Sequence, residues 1–125
     1  MNNITFTKPE IIKKGWGREE VIANNDKYCG KLLVYERAGA VSSRHLHYFK
    51  QEHFKILDGV FNFYYYDCKG NLLTKKVGTG DIIEIPAGCP HQLECIEPGT
   101  IFEVSTPHSD EDVIRIAPGD SQRNA

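Results

Sequence analysis

The amino-acid sequence predicts an all-β protein that folds as one sandwich or barrel of short strands. Segments rich in β-branched and aromatic residues recur about every 8–12 residues, and turn signals separate them. The helical pattern is weak: Pro9 to Asn25 has room for a turn or two, but Gly15 and Gly17 interrupt it. At 125 residues the chain has room for a single domain.

The predicted strands follow one another along the chain from Lys31 onward. Asp58-Gly59 is a turn signal between two apolar runs, and residues 67–71 are typical of a hairpin tip. The strands themselves are predicted at 31–36, 54–57, 60–66, 72–77, 82–85, 91–96 and 100–105. We expect the domain to occupy residues 1–116 and the polar segment 117–125 to form a flexible tail.

Charge and hydrophobicity exclude several classes of partner and location. Fifteen Lys and Arg residues against 17 Asp and Glu residues give a formal net charge of −2, so we expect neither a nucleic acid nor a membrane surface as partner. The sequence contains no run of about 18 apolar residues and begins with no secretory signal. Its four cysteines have no CxxC spacing, so we expect reduced thiols and a cytoplasmic location.

Four of the five histidines fall in one central stretch, and their spacing indicates a metal site. His45 and His47 are two residues apart, so both side chains project from the same face of a strand. A short loop can bring Glu52 back to that face, and His91 begins a later strand that can face the first. Imidazoles and a carboxylate gathered in this way suit a transition metal.

These residues stand in two motifs that resemble those of the cupin superfamily. Gly39 to Gly59 matches G-x5-H-x-H-x4-E-x6-G, and Gly80 to Cys95 matches G-x5-P-x-G-x2-H-x3-N except that Cys95 stands in place of Asn. The resemblance implies a single-domain, cupin-type jelly-roll β-barrel with one divalent metal in its mouth. It also implies the ligands of that metal, namely His45, His47, Glu52 and His91.

The flanking segments resemble the cupin domain of type II mannose-6-phosphate isomerases. Lys14 to Glu20 is similar to the family's K-P-W-G-x-E-E opening, and Asp110 to Arg115 is similar to its E-D-D-I-V-R ending. Gly15, His45 and Lys50 stand where that family has Pro, Gln and Arg. The pattern H-x-H-x-x-K-x-E is equally similar to cupin D-lyxose isomerases and related sugar isomerases. The resemblance therefore implies a small-molecule substrate that is a sugar or a sugar phosphate.

The chemistry of such a site requires a metal and a base. Three imidazoles and one carboxylate suit Mn, Fe(II), Co, Ni or Zn, and the residues do not choose among these metals. Aldose–ketose isomerisation needs a polarised carbonyl beside a hydroxyl, together with a group that moves a proton between adjacent carbons. The candidate catalytic residues are Glu103, on a late strand, and Lys50, which either acts as a base or holds negative charge as an ammonium.

Several other polar residues have two interpretations. Arg44 and Arg115 are candidates for bidentate contact with a phosphate. Strand alternation, however, turns Arg44 away from His45, and Arg115 has acidic residues at 110 and 112 as alternative partners. For His53 and His108 we expect surface positions, because His53 alternates with Glu52 and His108 lies in a loop sequence.

Three functions remain open at this point. A metal-dependent isomerase of a sugar or sugar phosphate is favoured by the flanking segments. An Fe(II)-dependent dioxygenase of a small molecule and a non-catalytic sugar-binding cupin are the alternatives, since one fold hosts many activities. The resemblance also implies a homodimer, which we expect to pair through an edge strand in the stretch before Lys31.

Overall fold

The computed structural model describes residues 3–123, and this part of the chain folds into two antiparallel β-sheets that face each other. In chain order the strands are β1 (Glu10–Lys14), β2 (Gly17–Asn24), β3 (Cys29–Tyr35), β4 (Arg44–His47), β5 (Glu52–Ile56), β6 (Val60–Tyr66), β7 (Leu72–Gly78), β8 (Ile82–Ile85), β9 (His91–Glu97), β10 (Gly99–Ser105) and β11 (Val113–Ala117). A 3-10 turn (Asp110–Asp112) precedes β11, and a short helix, α1 (Asp120–Arg123), follows it. Neither of these two helical elements is long and apolar enough to cross a membrane.

The two sheets interleave strands that are distant in sequence. The first has the order β1-β2-β3-β10-β5-β8, and the second has the order β11-β4-β9-β6-β7. All neighbouring strands pair antiparallel, so residues in direct register share a face of the sheet. The prediction of an all-β barrel is confirmed.

Seven strands lie where the sequence predicts them, within one or two residues at either end, but β1, β2 and β11 are not predicted. The reason is clearest in β2, where charged residues occupy both faces. Arg18 and Glu20 pair at 2.9 Å on the outer face, whereas Glu19 turns inward and contacts Lys31 at 3.3 Å. Polar residues on both faces remove the alternation that marks a half-buried strand.

The interior of the barrel is apolar at one end and polar at the other. In the apolar part, Trp16 stacks on Tyr35 at 4.3 Å between ring centroids, and Tyr35 meets Phe61 edge-on at 5.2 Å. The other end holds buried polar and charged side chains, which are Lys31, Ser42, Ser43, His47, Lys50, Glu52, His91 and Glu103. Because charged groups are rarely buried without a partner or a function, this end is the candidate site.

Glycines of the two motifs make turns at both ends of the barrel. Gly88 has φ of 82°, which L side chains rarely adopt, and its N–H donates to the carbonyl of His47 at 2.7 Å. Gly59 has φ of 86°, and a Cβ there would lie 2.8 Å from the carbonyl oxygen of Glu97. The motif spacing therefore reflects backbone geometry as well as the positions of the histidines.

The segment after residue 116 is packed, in contrast to the flexible tail expected from its composition. Gly119 is buried, and a Cβ there would lie 2.2 Å from the backbone of Ser42. Asp120 binds Arg37 at 2.8 Å and accepts the N–H of Val41, and the Ser121 hydroxyl accepts the N–H of Gly15. The tail prediction is thus corrected for residues 117–123, and its last two residues lie outside the described range.

Candidate metal centre

Three histidines converge at the polar end of the barrel. His45 and His47 lie on β4, and His91 begins β9 as the direct register partner of His45. The ring of His45 lies 5.0 Å from that of His47 and 4.7 Å from that of His91, measured between centroids. One nitrogen from each ring lies within 4.8 Å of the other two. The structure thus brings together the three imidazoles that the sequence singles out.

Backbone carbonyls select the tautomer of all three rings. The Nδ1 atoms of His45, His47 and His91 lie 3.0, 3.3 and 3.0 Å from the carbonyl oxygens of Ser43, Asp112 and Cys89. Because a carbonyl oxygen only accepts, each Nδ1 carries the proton and each Nε2 keeps a free lone pair. An imidazole held by its second nitrogen in this way is typical of a metal ligand.

Aromatic neighbours fix the plane of His91. Phe63 stacks on the ring at 6.0 Å with an interplanar angle of 17°, and Phe54 meets it at 6.2 Å and 76°. Both phenylalanines are buried core residues on facing sheets. Their packing leaves the ring little freedom, so the position of Nε2 is set by the core as well as by the carbonyl of Cys89.

Glu52 approaches the histidines from the facing sheet. Its Oε2 lies 3.2 Å from Nε2 of His91, and its Oε1 lies 3.7 Å from Nε2 of His47. Within residues 3–123, neither Glu52 Oε2 nor His91 Nε2 makes a hydrogen bond, although both are buried. Two buried acceptor atoms that face each other are unfavourable unless a cation lies between them. The donor set therefore fits a divalent transition metal.

Lys50 also contacts the carboxylate of Glu52. Its Nζ lies 3.0 Å from Glu52 Oε1 and 3.1 Å from Glu103 Oε2, and all three side chains are at least 96% buried. The group of three histidines within 4.8 Å does not include Glu52. Glu52 is thus shared between the imidazoles and the ammonium, and the two candidate catalytic residues, Lys50 and Glu103, form one buried pair beside the histidines.

His108 belongs to this site, which corrects the expectation that it lies on the surface. Its side chain is 18% exposed, its Nδ1 lies 2.9 Å from Lys50 Nζ, and its Nε2 lies 3.0 Å from Oδ1 of Asp110. Since an ammonium only donates, Nδ1 of His108 accepts and Nε2 carries the proton. This tautomer is the opposite of the one found at His45, His47 and His91. The spacing of His108 and Asp110, two residues apart after a strand end, is the only signal in the sequence for this contact.

The remaining polar candidates divide between the two faces of the sheets. His53 lies on the outer face with its side chain 47% exposed, in agreement with the alternation argument. Arg44 also faces outward and donates to Gln92 at 3.1 Å. Arg115 is the register partner of His45 and lines the cavity above the histidines. Of the two arginines considered for a phosphate, only Arg115 faces the site.

Burial and neighbouring charges shift the proton affinities of this group. Burial lowers the pKa of His45 to about 3 and that of His47 to about 4, and the adjacent imidazoles act in the same direction. Burial opposes ionisation of Glu52, but the pKa of this carboxyl is held low, and the ammonium of Lys50 acts in that direction. Burial also disfavours the Lys50 ammonium, yet Glu103 and Glu52 raise its pKa. Without metal, His45 and His47 are therefore neutral, Glu52 is ionised and Lys50 is an ammonium.

The cavity at this site is small, and a larger cavity shares part of its lining. The inner cavity has a volume of about 110 Å³ and is lined by the histidines, Lys50, Glu52 and Glu103. A second cavity of about 500 Å³ lies between it and the β1–β2 side of the barrel. Five residues line both, namely Lys14, Glu19, Lys31, His108 and Asp110. The two cavities are therefore neighbours along this side of the barrel.

Sequence comparison does not place the chain in a family. No protein-family model matches it. No curated protein is similar enough in sequence to be matched.

Solved structures are similar to it in fold. Oxalate decarboxylase from Bacillus subtilis, in a structure at pH 4.6, superposes with a TM-score of 0.73 and 19% identity over 93% of this chain. Two mutants of that enzyme, one with a four-residue replacement and one with a two-residue deletion, give TM-scores of 0.74 and 0.73 at 17% and 18% identity. This chain spans about a third of the length of those enzymes, 33% to 34%.

At such identity the similarity concerns the fold alone. It agrees with the two facing antiparallel sheets and with the motifs of the sequence. The protein therefore has the cupin-type jelly-roll fold, and it carries a set of histidines inside the barrel that can hold a divalent metal.

Proposed function

We propose that the protein is a metal-dependent isomerase of a sugar or sugar phosphate. The observation that carries this proposal is the contact between two groups of different chemistry in one cavity. The histidines with Glu52 suit an electrophilic metal, and the buried pair of Lys50 and Glu103 suits proton transfer. Isomerisation of a hydroxy-carbonyl compound needs both at adjacent atoms.

The metal would be held by Nε2 of His45, His47 and His91 together with the carboxylate of Glu52. When bound there, a divalent cation of the Mn, Fe, Co, Ni or Zn type supplies polarisation of a carbonyl and of the neighbouring hydroxyl. Its positive charge also compensates the buried carboxylate. His47, Glu52 and His91 are buried, which strengthens each electrostatic contact between them.

Glu103 is the base in this proposal, and Lys50 is its partner. Lys50 and the Ser105 hydroxyl both contact Oε2 of Glu103, at 3.1 Å each, which leaves Oε1 for the substrate. Oε1 would take the proton from the hydroxyl-bearing carbon and return it to the former carbonyl carbon, while the hydroxyl proton moves to the carbonyl oxygen. The three N–H donors of Lys50 are taken by Glu52, Glu103 and His108, so Lys50 would hold Glu103 in place and stabilise the developing negative charge through its own positive charge. The reaction needs no oxidant.

A direct test is proton exchange with solvent. The purified protein is incubated with a panel of aldoses and aldose phosphates in deuterium oxide, with Mn, Co, Ni, Zn or Fe added in turn. We expect deuterium to enter the carbon next to the carbonyl of at least one sugar, together with the isomeric product. Glu103→Gln should reduce this rate about 10²- to 10⁴-fold, and His53→Gln, on the outer face, should leave it unchanged. No exchange with any sugar and any metal would contradict the proposal.

The metal ligands require a test that does not depend on activity. His47→Ala should lower the bound metal per chain measured by elemental analysis, whereas His53→Ala should retain it. A His47→Ala protein with full metal content would show that the ligand set is wrong.

A second candidate is an Fe(II)-dependent dioxygenase of a small molecule. One observation favours it: the three histidines cluster without Glu52, which leaves more open positions for oxygen and substrate. Exclusive binding of iron together with substrate-dependent oxygen uptake would support this candidate over the isomerase. The remaining alternative, a non-catalytic sugar-binding cupin, predicts sugar binding without either reaction.

A further inference from the structure

Lys31 is a buried charged residue that the proposed mechanism does not use. Alternate side chains of β3 are directed inward, and Lys31 takes an inward position in series with the core residues Leu33 and Tyr35. The residue is 3% exposed. Such a position ordinarily holds an apolar side chain, because a buried ammonium loses its hydration. A lysine there requires either a structural or a functional explanation.

The partner of Lys31 is Glu19, on β2. Oε1 of Glu19 lies 3.3 Å from Nζ of Lys31, and the two side chains are 14% and 4% exposed. Well-packed apolar residues at two such positions often give equal or greater stability, since the desolvation of two charges offsets their attraction. Stability alone is therefore a weak reason for this ion pair, and a functional explanation is favoured.

The ion pair leaves hydrogen-bonding capacity unused. An ammonium has three N–H donors, but within residues 3–123 the only partner of Lys31 Nζ is Oε1 of Glu19. The other carboxylate oxygen, Oε2 of Glu19, accepts no hydrogen bond in this part of the chain. Lys50, in contrast, has a partner for each of its three donors. Lys31 is thus better placed than Lys50 to donate a hydrogen bond to a substrate.

Lys31 also lies beside the proposed base. It is the direct register partner of Glu103 across β3 and β10, and β5, which carries Glu52, pairs with the other edge of β10. Neighbouring strands lie about 4.8 Å apart, so the strands of Lys31 and Glu52 are about 10 Å apart with Glu103 between them. Lys31 and Glu19 both line the cavity at the histidines and its larger neighbour. A substrate that extends from the histidines past Glu103 therefore reaches this ion pair.

We infer that Lys31 and Glu19 bind a hydroxyl group of the substrate next to its reacting carbons. This inference rests on the proposed function and adds two specificity-determining residues to it. A hydroxyl both accepts and donates, so its oxygen accepts from Nζ of Lys31 and its proton is donated to Oε2 of Glu19. The carboxylate of Glu19 disfavours an anionic group at the same position. Because carbons 1 and 2 of an aldose react, the hydroxyl bound is the one at carbon 3 or 4.

The test combines deoxy sugars with protein variants in a cycle of binding measurements. Binding is measured by calorimetry on the full chain with the metal it contains when purified. The probes are glucose, mannose and the 3-deoxy and 4-deoxy analogues of each. We expect at least one analogue to bind the native protein about tenfold more weakly than its parent sugar, because a hydrogen bond to a charged group contributes about that much.

Variants connect this difference to the ion pair. Lys31→Met should weaken binding of the parent sugar about tenfold and leave binding of that analogue unchanged, so that the two sugars bind alike. Lys31→Met combined with Glu19→Gln should give the same result without leaving a buried carboxylate unpaired. Lys55→Met is the matched control and should keep the native difference, since Lys55 is exposed on the outer face of the same sheet. Thermal unfolding checks that each variant is folded.

The possible results separate this inference from the proposed function. A difference between parent and analogue that disappears in Lys31→Met and in the double variant supports the inference, even if no sugar is isomerised. Equal binding of all parent and deoxy sugars to the native protein overturns it, even if a sugar is isomerised. A difference that survives both variants also overturns it, because parent and analogue then lose affinity equally and the ion pair is purely structural.

Discussion

The Nζ atom of Lys50 lies 2.9 Å from Nδ1 of His108, and the contact joins residues 58 positions apart in the chain. It gives Lys50 a third partner besides Glu52 and Glu103 and fixes the direction of its ammonium. The two carboxylates lie on β5 and β10, whereas His108 lies in the segment that follows β10. We therefore assign His108 a positioning role for the pair of Lys50 and Glu103.

Replacing His108 tests this role. His108→Phe keeps a ring of similar size but removes the acceptor for Lys50, so we expect kcat of the proposed isomerase to fall about tenfold with little change in KM. The rates are measured on the sugar that shows proton exchange. His108→Gln, which retains an acceptor, should recover part of the loss. Equal rates for the native protein and His108→Phe would contradict the positioning role.

The stability of the metal-free protein should depend on pH below neutrality. Burial gives His45 a pKa of about 3 and His47 a pKa of about 4 in the folded chain, whereas an unfolded histidine has a pKa of about 6.5. As the pH falls below about 6.5, the unfolded chain binds more protons than the folded one, so the free energy of unfolding decreases. The full stability is present above that pH.

Urea denaturation of chelator-treated protein between about pH 7 and about pH 5 measures this dependence. The denaturation midpoint should fall toward pH 5, and His45→Gln should make the dependence shallower because it removes one of the imidazoles whose pKa burial lowers. A midpoint that stays constant over this range would show that the imidazoles are not held neutral by burial.

Asp112 supports the loop that carries Lys50. Its carboxylate accepts the N–H of Phe49 at 3.0 Å and that of Lys50 at 2.9 Å, and its carbonyl contacts Nδ1 of His47. Asp112→Ala should lower the free energy of unfolding by about 1 kcal/mol, since two charge-assisted hydrogen bonds near the surface are lost. It should also weaken metal binding, because the loop connects His47 to Glu52.

Glu111→Ala is the matched control for this substitution. Glu111 lies in the same 3-10 turn and is exposed, and its side chain makes no hydrogen bond within residues 3–123. Thermal unfolding and metal titration of the two variants should therefore differ. If both variants behave alike, the two backbone contacts of Asp112 do not stabilise the loop.

The part of the site that could be predicted depends on strand geometry. The spacing of His45 and His47 fixes both on one face, because side chains alternate along a strand, and the same rule places His53 and Arg44 outside. Lys50 and Glu103 were expected as separate candidates. Their direct contact follows from the register of β10 and β5, which pairs Ser105 with Glu52 and is a tertiary property.

The part that could not be predicted depends on contacts across the barrel. β2 has charged residues on both faces because Glu19 turns inward and contacts Lys31. The sequence around Glu19 contains no pattern that predicts this ion pair. The sequence around His108 is typical of a polar surface loop. Only the tertiary fold brings His108 into contact with Lys50. The segment after residue 116 likewise has a composition typical of disorder. Asp120 nevertheless forms an ion pair with Arg37 and accepts a hydrogen bond from the N–H of Val41.

The homodimer stays a prediction, and the start of the chain offers a way to test it. Ile4 and Phe6 are 88% and 94% exposed. This segment precedes β1, which is an edge strand of the first sheet and exposes Ile11 at 50%. Burial of these side chains against a second copy would stabilise the assembly, since apolar area gains about 25 cal/mol per Å² removed from water.

Replacing both apolar residues, as Ile4→Ser with Phe6→Ser, should therefore weaken the dimer at least tenfold, because two large side chains contribute about 1.5–3 kcal/mol each when buried. Sedimentation equilibrium over a range of concentrations measures this change. Thr5→Ser with Thr7→Ser is the matched control, since it alters neighbouring positions of the same segment without removing a large apolar side chain. A native protein that sediments as a monomer at every concentration would contradict the dimer, and a dimer unchanged by the serine substitutions would place its interface away from this segment.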